Sequence, residues 1–145
     1  MTRRSTIIQS CILMLILNVL GCKREDSPPS MELLYGEWRI LDKYTNNVEK
    51  YFKCDARRSK LLLINSGKYK AIDLTIERVI NGKITYICVT MEGNWFVEHQ
   101  QGYVLRLEGG REFVTLLEIK KRWDHLELVK YFVDPDGDLY AFGRK

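Results

Sequence analysis

From Gly36 onward, the sequence alternates apolar and polar residues in short runs separated by turn residues, and this pattern constrains the fold more than any other feature. Asn81–Gly82 gives the strongest hairpin signal, because both residues tolerate positive φ and apolar-rich runs lie on either side, at Val79–Ile80 and Ile84–Val89. Alternation and turn chemistry together divide residues 36–143 into about eight or nine short strands. The sequence therefore predicts an all-β domain.

Short strands joined by tight turns are typical of an antiparallel barrel or sandwich. We expect a small antiparallel β-barrel of about eight strands, since closure removes the exposed sheet edges. Lys50 to Cys54 is a weak candidate for the second strand, and Trp95 to Glu98 is expected to form a separate later strand. Helical periodicity is limited to one turn at Met31 to Tyr35 and a mixed pattern at Val114 to Arg122.

The first residues have the pattern of an export signal. Arg3 and Arg4 precede an apolar run from Ile7 to Leu20, which is too short and too interrupted to span a bilayer. The run ends in Val19-Leu20-Gly21-Cys22, which resembles the lipobox of bacterial lipoproteins. That resemblance implies a signal peptide over residues 1–21, cleavage before Cys22, a diacylglycerol on the Cys22 thiol, and palmitate among the fatty acids attached to this lipoprotein end.

Residues 22–32 are expected to form the acylated cysteine and a flexible tether, and residues 33–145 the folded domain. Pro28 and Pro29 favour an extended spacer. Lys23 follows the cysteine, which resembles a lipoprotein sorted to the outer membrane. The expected location is the bacterial cell envelope, lipid-anchored, on the periplasmic or surface face.

Charge and cysteine content narrow the function classes. Removing Arg3 and Arg4 with the leader leaves 21 basic residues of the original 23, against 19 acidic ones, so nucleic acid is not an expected partner. Cys54 and Cys88 are the cysteines left after acylation. In an oxidising compartment they either form a disulfide or remain two separate buried thiols, and the sequence leaves both open.

Two copies of a Gly-x-Trp motif carry a second resemblance. Gly36-Glu37-Trp38 opens the first strand, and Gly93-Asn94-Trp95 lies in the middle of the chain. Their position resembles lipocalins and bacterial lipocalin-like domains, in which the first Trp plugs one end of the barrel. The resemblance implies a barrel that holds an apolar or amphipathic ligand. No clear later motif supplies the arginine that the family carries near its last strand.

No catalytic constellation is evident. His99 and His125 are not next to a nucleophile motif, and the spacing of cysteines and histidines fits no metal site. Asp134 to Asp138 is interpreted as a tight turn rather than a calcium loop, because the later bidentate Glu is missing. We therefore expect neither an enzyme nor a bound cofactor or metal.

The leading hypothesis is a non-enzymatic, membrane-anchored binding protein for an apolar or amphipathic small molecule. The alternative is a protein-binding envelope lipoprotein (an inhibitor, immunity or assembly factor) with a barrel filled by its own side chains. Lys120-Lys121-Arg122-Trp123 is either a solvated loop or a contact for anionic headgroups or glycans.

Overall fold

The computed structural model describes residues 27–110, 113–131 and 137–144. The predicted signal peptide, the lipid-attachment residue Cys22 and most of the acidic turn before Asp138 lie outside the described residues.

The described elements are eight strands, one α-helix and two short 3-10 helices. The 3-10 helices span Met31–Leu33 and Asp42–Tyr44, and the α-helix α1 spans Thr45–Phe52. The strands are β1 Gly36–Ile40, β2 Lys60–Leu63, β3 Lys68–Ile80, β4 Lys83–His99, β5 Tyr103–Gly109, β6 Phe113–Lys121, β7 Leu126–Tyr131 and β8 Asp138–Arg144.

The strands form a closed barrel in which each strand pairs with its neighbour in sequence and β1 pairs with β8. All these pairings are antiparallel, and the barrel closes at Trp38, which lies opposite Arg144. The prediction of an all-β antiparallel barrel of about eight strands is confirmed. Because successive turns alternate between the two ends, the chain segment 27–35 and the β6–β7 turn share one end, here called the N-terminal end. Helix α1 and the Asn81–Gly82 turn belong to the other, here called the helix end.

The weak strand predicted at Lys50 to Cys54 is wrong, because those residues belong largely to α1 or follow its end. Val48 and Phe52 lie four residues apart on one helical face and are both buried, which stabilises a short helix over an apolar surface. Lys53 adopts a left-handed conformation with φ of 54°, which ends the helix. The separate strand predicted at Trp95 to Glu98 is instead the last part of the continuous strand β4.

Strand β3 contains a bulge between Ala71 and Leu74, where it has one more residue than β4. Asp73 occupies the bulge with φ of 50°. Bulges of this kind bend a strand and increase its twist. Beyond the bulge, β3 and β4 pair only with each other among the described residues, since β2 pairs as far as Ile72 and β5 from Asn94 onward. We call residues 74–89 the ribbon.

Large side chains fill the interior of the barrel. The aromatic residues Trp38, Tyr69, Tyr140 and Phe142 are almost completely buried, and so are leucines from six of the strands and the segment before β1. These leucines are Leu34, Leu61, Leu63, Leu74, Leu105, Leu107, Leu117, Leu128 and Leu139. Interiors of eight-stranded barrels are just wide enough for side chains to fill, and this sequence supplies bulky ones from every side.

Candidate functional site

Trp38 and Arg144 close the N-terminal end of the barrel. The Trp38 indole is fully buried, and its Nε1 donates a hydrogen bond to the carbonyl of Leu34 at 2.9 Å. The guanidinium of Arg144 lies 5.0 Å from the centre of the Trp38 ring and donates to the carbonyls of Leu33 and Tyr35. The arginine therefore ties the last strand to the segment that enters the first one.

The sequence motifs gave no clear signal for Arg144, although the lipocalin resemblance includes an arginine near the last strand. The structure places Arg144 at the end of β8, directly opposite Trp38. The alternation along the final strand could have indicated this position for Arg144. Side chains two residues apart on a strand share a face, so Arg144 lies on the same face as the apolar Phe142, which is buried. Gly36, at the start of β1, has φ of 113°, a conformation that glycine adopts without steric cost.

The second Gly-x-Trp copy is a structural feature of β4. The Trp95 indole is buried, and its Nε1 donates to the carbonyl of Ile64 at 3.0 Å. At Gly93 an added Cβ would lie 1.8 Å from the carbonyl oxygen of Glu108 on β5. The glycine is therefore required by the close approach of two backbones, and the Trp holds the β2–β3 turn against β4.

At the helix end, a disulfide joins Cys54, just after α1, to Cys88 on the ribbon, with Cα atoms 5.6 Å apart. Phe52 packs edge-on against Tyr86 with ring centres 4.9 Å apart. The disulfide and the Phe52–Tyr86 ring contact, which lie close to each other, together hold α1 against the ribbon. The sequence left open whether Cys54 and Cys88 form a disulfide or remain separate thiols, and the structure joins them in a disulfide.

A buried ion pair fixes the ribbon to the barrel wall. The Lys130 ammonium, on a side chain only 6% exposed, lies 2.6 and 2.8 Å from the two carboxylate oxygens of Glu77. It also donates to the Thr115 hydroxyl at 2.9 Å. The Tyr140 hydroxyl donates to the Thr75 carbonyl at 2.9 Å, and burial raises the pKa of Tyr140. Sequence reasoning missed this network, since no pattern indicates which Lys of a strand is buried.

The β6–β7 turn contains a second charged network. Glu127 is buried and accepts hydrogen bonds from Arg122 Nε at 2.9 Å and from His125 Nε2 at 3.2 Å. Although burial acts in the opposite direction, these two partners lower the pKa of Glu127. Hydrogen bonds to Asp124 and then to Glu127 raise the pKa of His125. The arrangement holds the turn in place with one arginine and one histidine.

Trp123 lies at the tip of this turn and is fully exposed. A cleft of about 440 Å³ opens beside it, lined by Leu33, Trp38, Arg144 and the residues from Lys121 to Leu126. His99, the other predicted histidine, is exposed at the end of β4 and contacts the Tyr103 ring. Among the residues that the structure describes, the two histidines share no site with a cysteine, since Cys54 and Cys88 form the disulfide.

Within residues 27–110, 113–131 and 137–144, histidine, cysteine and acidic side chains form no group of three or more suited to hold a metal ion. The same residues contain no helix long and apolar enough to cross a bilayer.

Comparisons of the chain with known protein families, with curated proteins and with solved structures find no match. The fold therefore defines a structural class, a closed eight-stranded antiparallel barrel consistent with a lipocalin-like fold.

Proposed function

We propose that this chain is a lipid-anchored protein of the bacterial cell envelope that binds another protein through its outer surface. The observation that supports surface binding over an interior ligand is the filled barrel, in which Trp38, Tyr69, Tyr140 and Phe142 are at most 1% exposed. A ligand would have to displace these side chains, and close packing makes such displacement costly.

The envelope location rests on the sequence. A short apolar run that ends in Gly21-Cys22 favours export and acylation, and the lipocalin-like resemblance at Gly36 and Trp38 favours a small anchored barrel. The disulfide between Cys54 and Cys88 is in keeping with an oxidising compartment. We infer no enzymatic step, because the charged networks described above have structural partners rather than an open reaction site.

The ribbon is the surface that we propose for the partner. Val79 and Ile84 face each other across its two strands and are 67% and 42% exposed, and Ile80 beside them is 45% exposed. Clustered apolar side chains at the surface are typical of interaction sites. Among the described residues, the outer edges of the two strands pair with no further strand over residues 78–85, so a partner strand can add there by main-chain hydrogen bonding.

Site-specific photocrosslinking in the producing bacterium tests this proposal. A photoreactive amino acid is placed in the full chain at position 79 or 84, and at Val114 as a control, since Val114 is 52% exposed on a different strand. We expect one discrete crosslinked product from both ribbon positions, absent at Val114. The product should disappear when Ile80→Asp is added to the same chain.

Two results would overturn the proposal. One is the lack of any product at positions 79 and 84 in a chain that is acylated and correctly oxidised. The other is an equal set of products at all three positions, which indicates random encounters rather than a docking surface.

A further inference from the structure

The exposure of the three tryptophans differs sharply. Trp38 and Trp95 are 0% and 3% exposed, whereas Trp123 is 101% exposed at the tip of the β6–β7 turn. A fully exposed indole in water gains nothing from packing. Tryptophan is enriched at membrane–water interfaces because its ring is apolar at one end and carries a hydrogen-bond donor at the other.

The path of the chain places this turn close to the predicted anchor. Lys121 Nζ donates a hydrogen bond to the carbonyl of Ser27 at 3.3 Å, and Pro29 is buried against the barrel. Only five residue steps separate Ser27 from Cys22. Fully extended, they reach about 17 Å. A lipid attached at Cys22 therefore holds the N-terminal end of the barrel near the bilayer surface.

The side chains around Trp123 suit a headgroup layer. Lys121 has no carboxylate within ion-pair distance among the described residues, so its charge is available to a phosphate. Arg122 forms an ion pair with Glu127, and the Asp124 carboxylate contacts Nδ1 of His125. Leu33, 54% exposed, lies on the same cleft as Trp123 and adds apolar surface.

We propose that the turn at residues 121–124 is a second membrane contact, with the Trp123 indole inserted among the headgroups and the Lys121 ammonium on lipid phosphates. This inference rests on the proposed lipid anchor. It adds an orientation, because the N-terminal end faces the bilayer and the ribbon points away from it. The ribbon is then free to meet a partner that is not in the same membrane.

Fluorescence quenching in proteoliposomes tests the contact. The full acylated chain is reconstituted in vesicles of phosphatidylcholine and phosphatidylglycerol, with and without brominated acyl chains near the interface. Since Trp123 is the exposed tryptophan, we expect bromolipid to reduce the emission of wild type by at most the amount that Trp123→Phe itself removes, and to leave the emission of Trp123→Phe unchanged. Aqueous iodide should quench the wild-type chain little.

A matched control moves the exposed indole to the other end of the molecule. In Trp123→Phe with Val79→Trp, the third tryptophan lies on the ribbon, where we expect quenching by iodide and not by bromolipid. Both substituted side chains are exposed, so neither is expected to unfold the barrel.

Failure of this inference and failure of the anchor give different results. If the wild-type chain floats with the vesicles while bromolipid leaves its emission unchanged and iodide quenches it, the membrane contact is wrong and the anchor stands. If the wild-type chain carries no lipid and does not float, the anchor itself is wrong, and so is the inference that rests on it.

Discussion

The buried pair of Lys130 and Glu77 predicts that two single substitutions have unequal costs. Glu77→Gln leaves the Lys130 ammonium, 6% exposed, without its counter-charge. Breaking a buried pair in this way costs about 3–5 kcal/mol. Because the Glu77 side chain is 31% exposed, solvent already screens part of the interaction, and we expect a loss of about 2–3 kcal/mol.

Lys130→Met is expected to cost less. The methionine keeps most of the apolar stem in place. Glu77 Oε2 is buried beside Lys130, but the Glu77 side chain as a whole is 31% exposed, so the carboxylate can turn toward solvent once the ammonium is gone. The loss is then mainly the hydrogen bond to the Thr115 hydroxyl, about 1 kcal/mol. The double variant Glu77→Leu with Lys130→Met should be within about 1 kcal/mol of wild type, since apolar replacements of a buried pair are often neutral.

Urea unfolding of the full chain in a mild non-ionic detergent, followed by tryptophan fluorescence, measures these differences. The comparison is valid where the dependence of the unfolding free energy on urea stays constant among the variants. A Lys130→Met chain that is as unstable as Glu77→Gln, or less stable, would refute the reasoning from burial asymmetry.

Three further outcomes follow from named contacts. Replacing both Cys54 and Cys88 with Ala removes a crosslink between residues 34 apart, and we expect a loss of about 4 kcal/mol in the same urea assay; a loss below about 1 kcal/mol would contradict this. Tyr69→Phe should leave the free energy of unfolding nearly unchanged, because the buried Tyr69 hydroxyl has no hydrogen-bond partner among the described residues. Tyr140→Phe loses the hydrogen bond to the Thr75 carbonyl and should cost about 1 kcal/mol, so equal costs for the two variants would contradict this difference in hydrogen bonding. His125→Asn should destabilise the chain most below the ordinary pKa of 6.5. The difference from wild type should shrink as pH rises through the raised pKa of His125, so a difference that does not change with pH would be inconsistent with the ion pairs.

Alternation and turn chemistry were enough to predict the sheet. The sequence pattern correctly placed the hairpin turn at Asn81–Gly82 and the first strand around Trp38. It also placed the second Gly-x-Trp motif, which begins at Gly93, within a strand. These features depend on residues close together in sequence, so a period of two and a tight turn carry the information. Closure into a barrel was expected from the need to cover edges, and the β1–β8 pairing provides it.

Other features depend on contacts between distant residues. Helix α1 was missed because its apolar residues, Val48 and Phe52, are too few for a clear helical period and are selected by packing against the barrel. Arg144 gains its role only when β8 meets β1. The sequence likewise could not predict the burial of Lys130, since its partner lies 53 residues away. The filled interior depends on the combined volume of side chains from many strands, and no single motif encodes that volume.

The central claim is that the barrel is filled and the protein acts through its outer surface. Native mass spectrometry of the full chain, released from detergent micelles, tests this claim directly. We expect the mass of the chain with its attached lipid and nothing further, in more than one detergent. A surplus mass that persists when the detergent is changed and disappears on denaturation would show a tightly held small ligand and contradict the account.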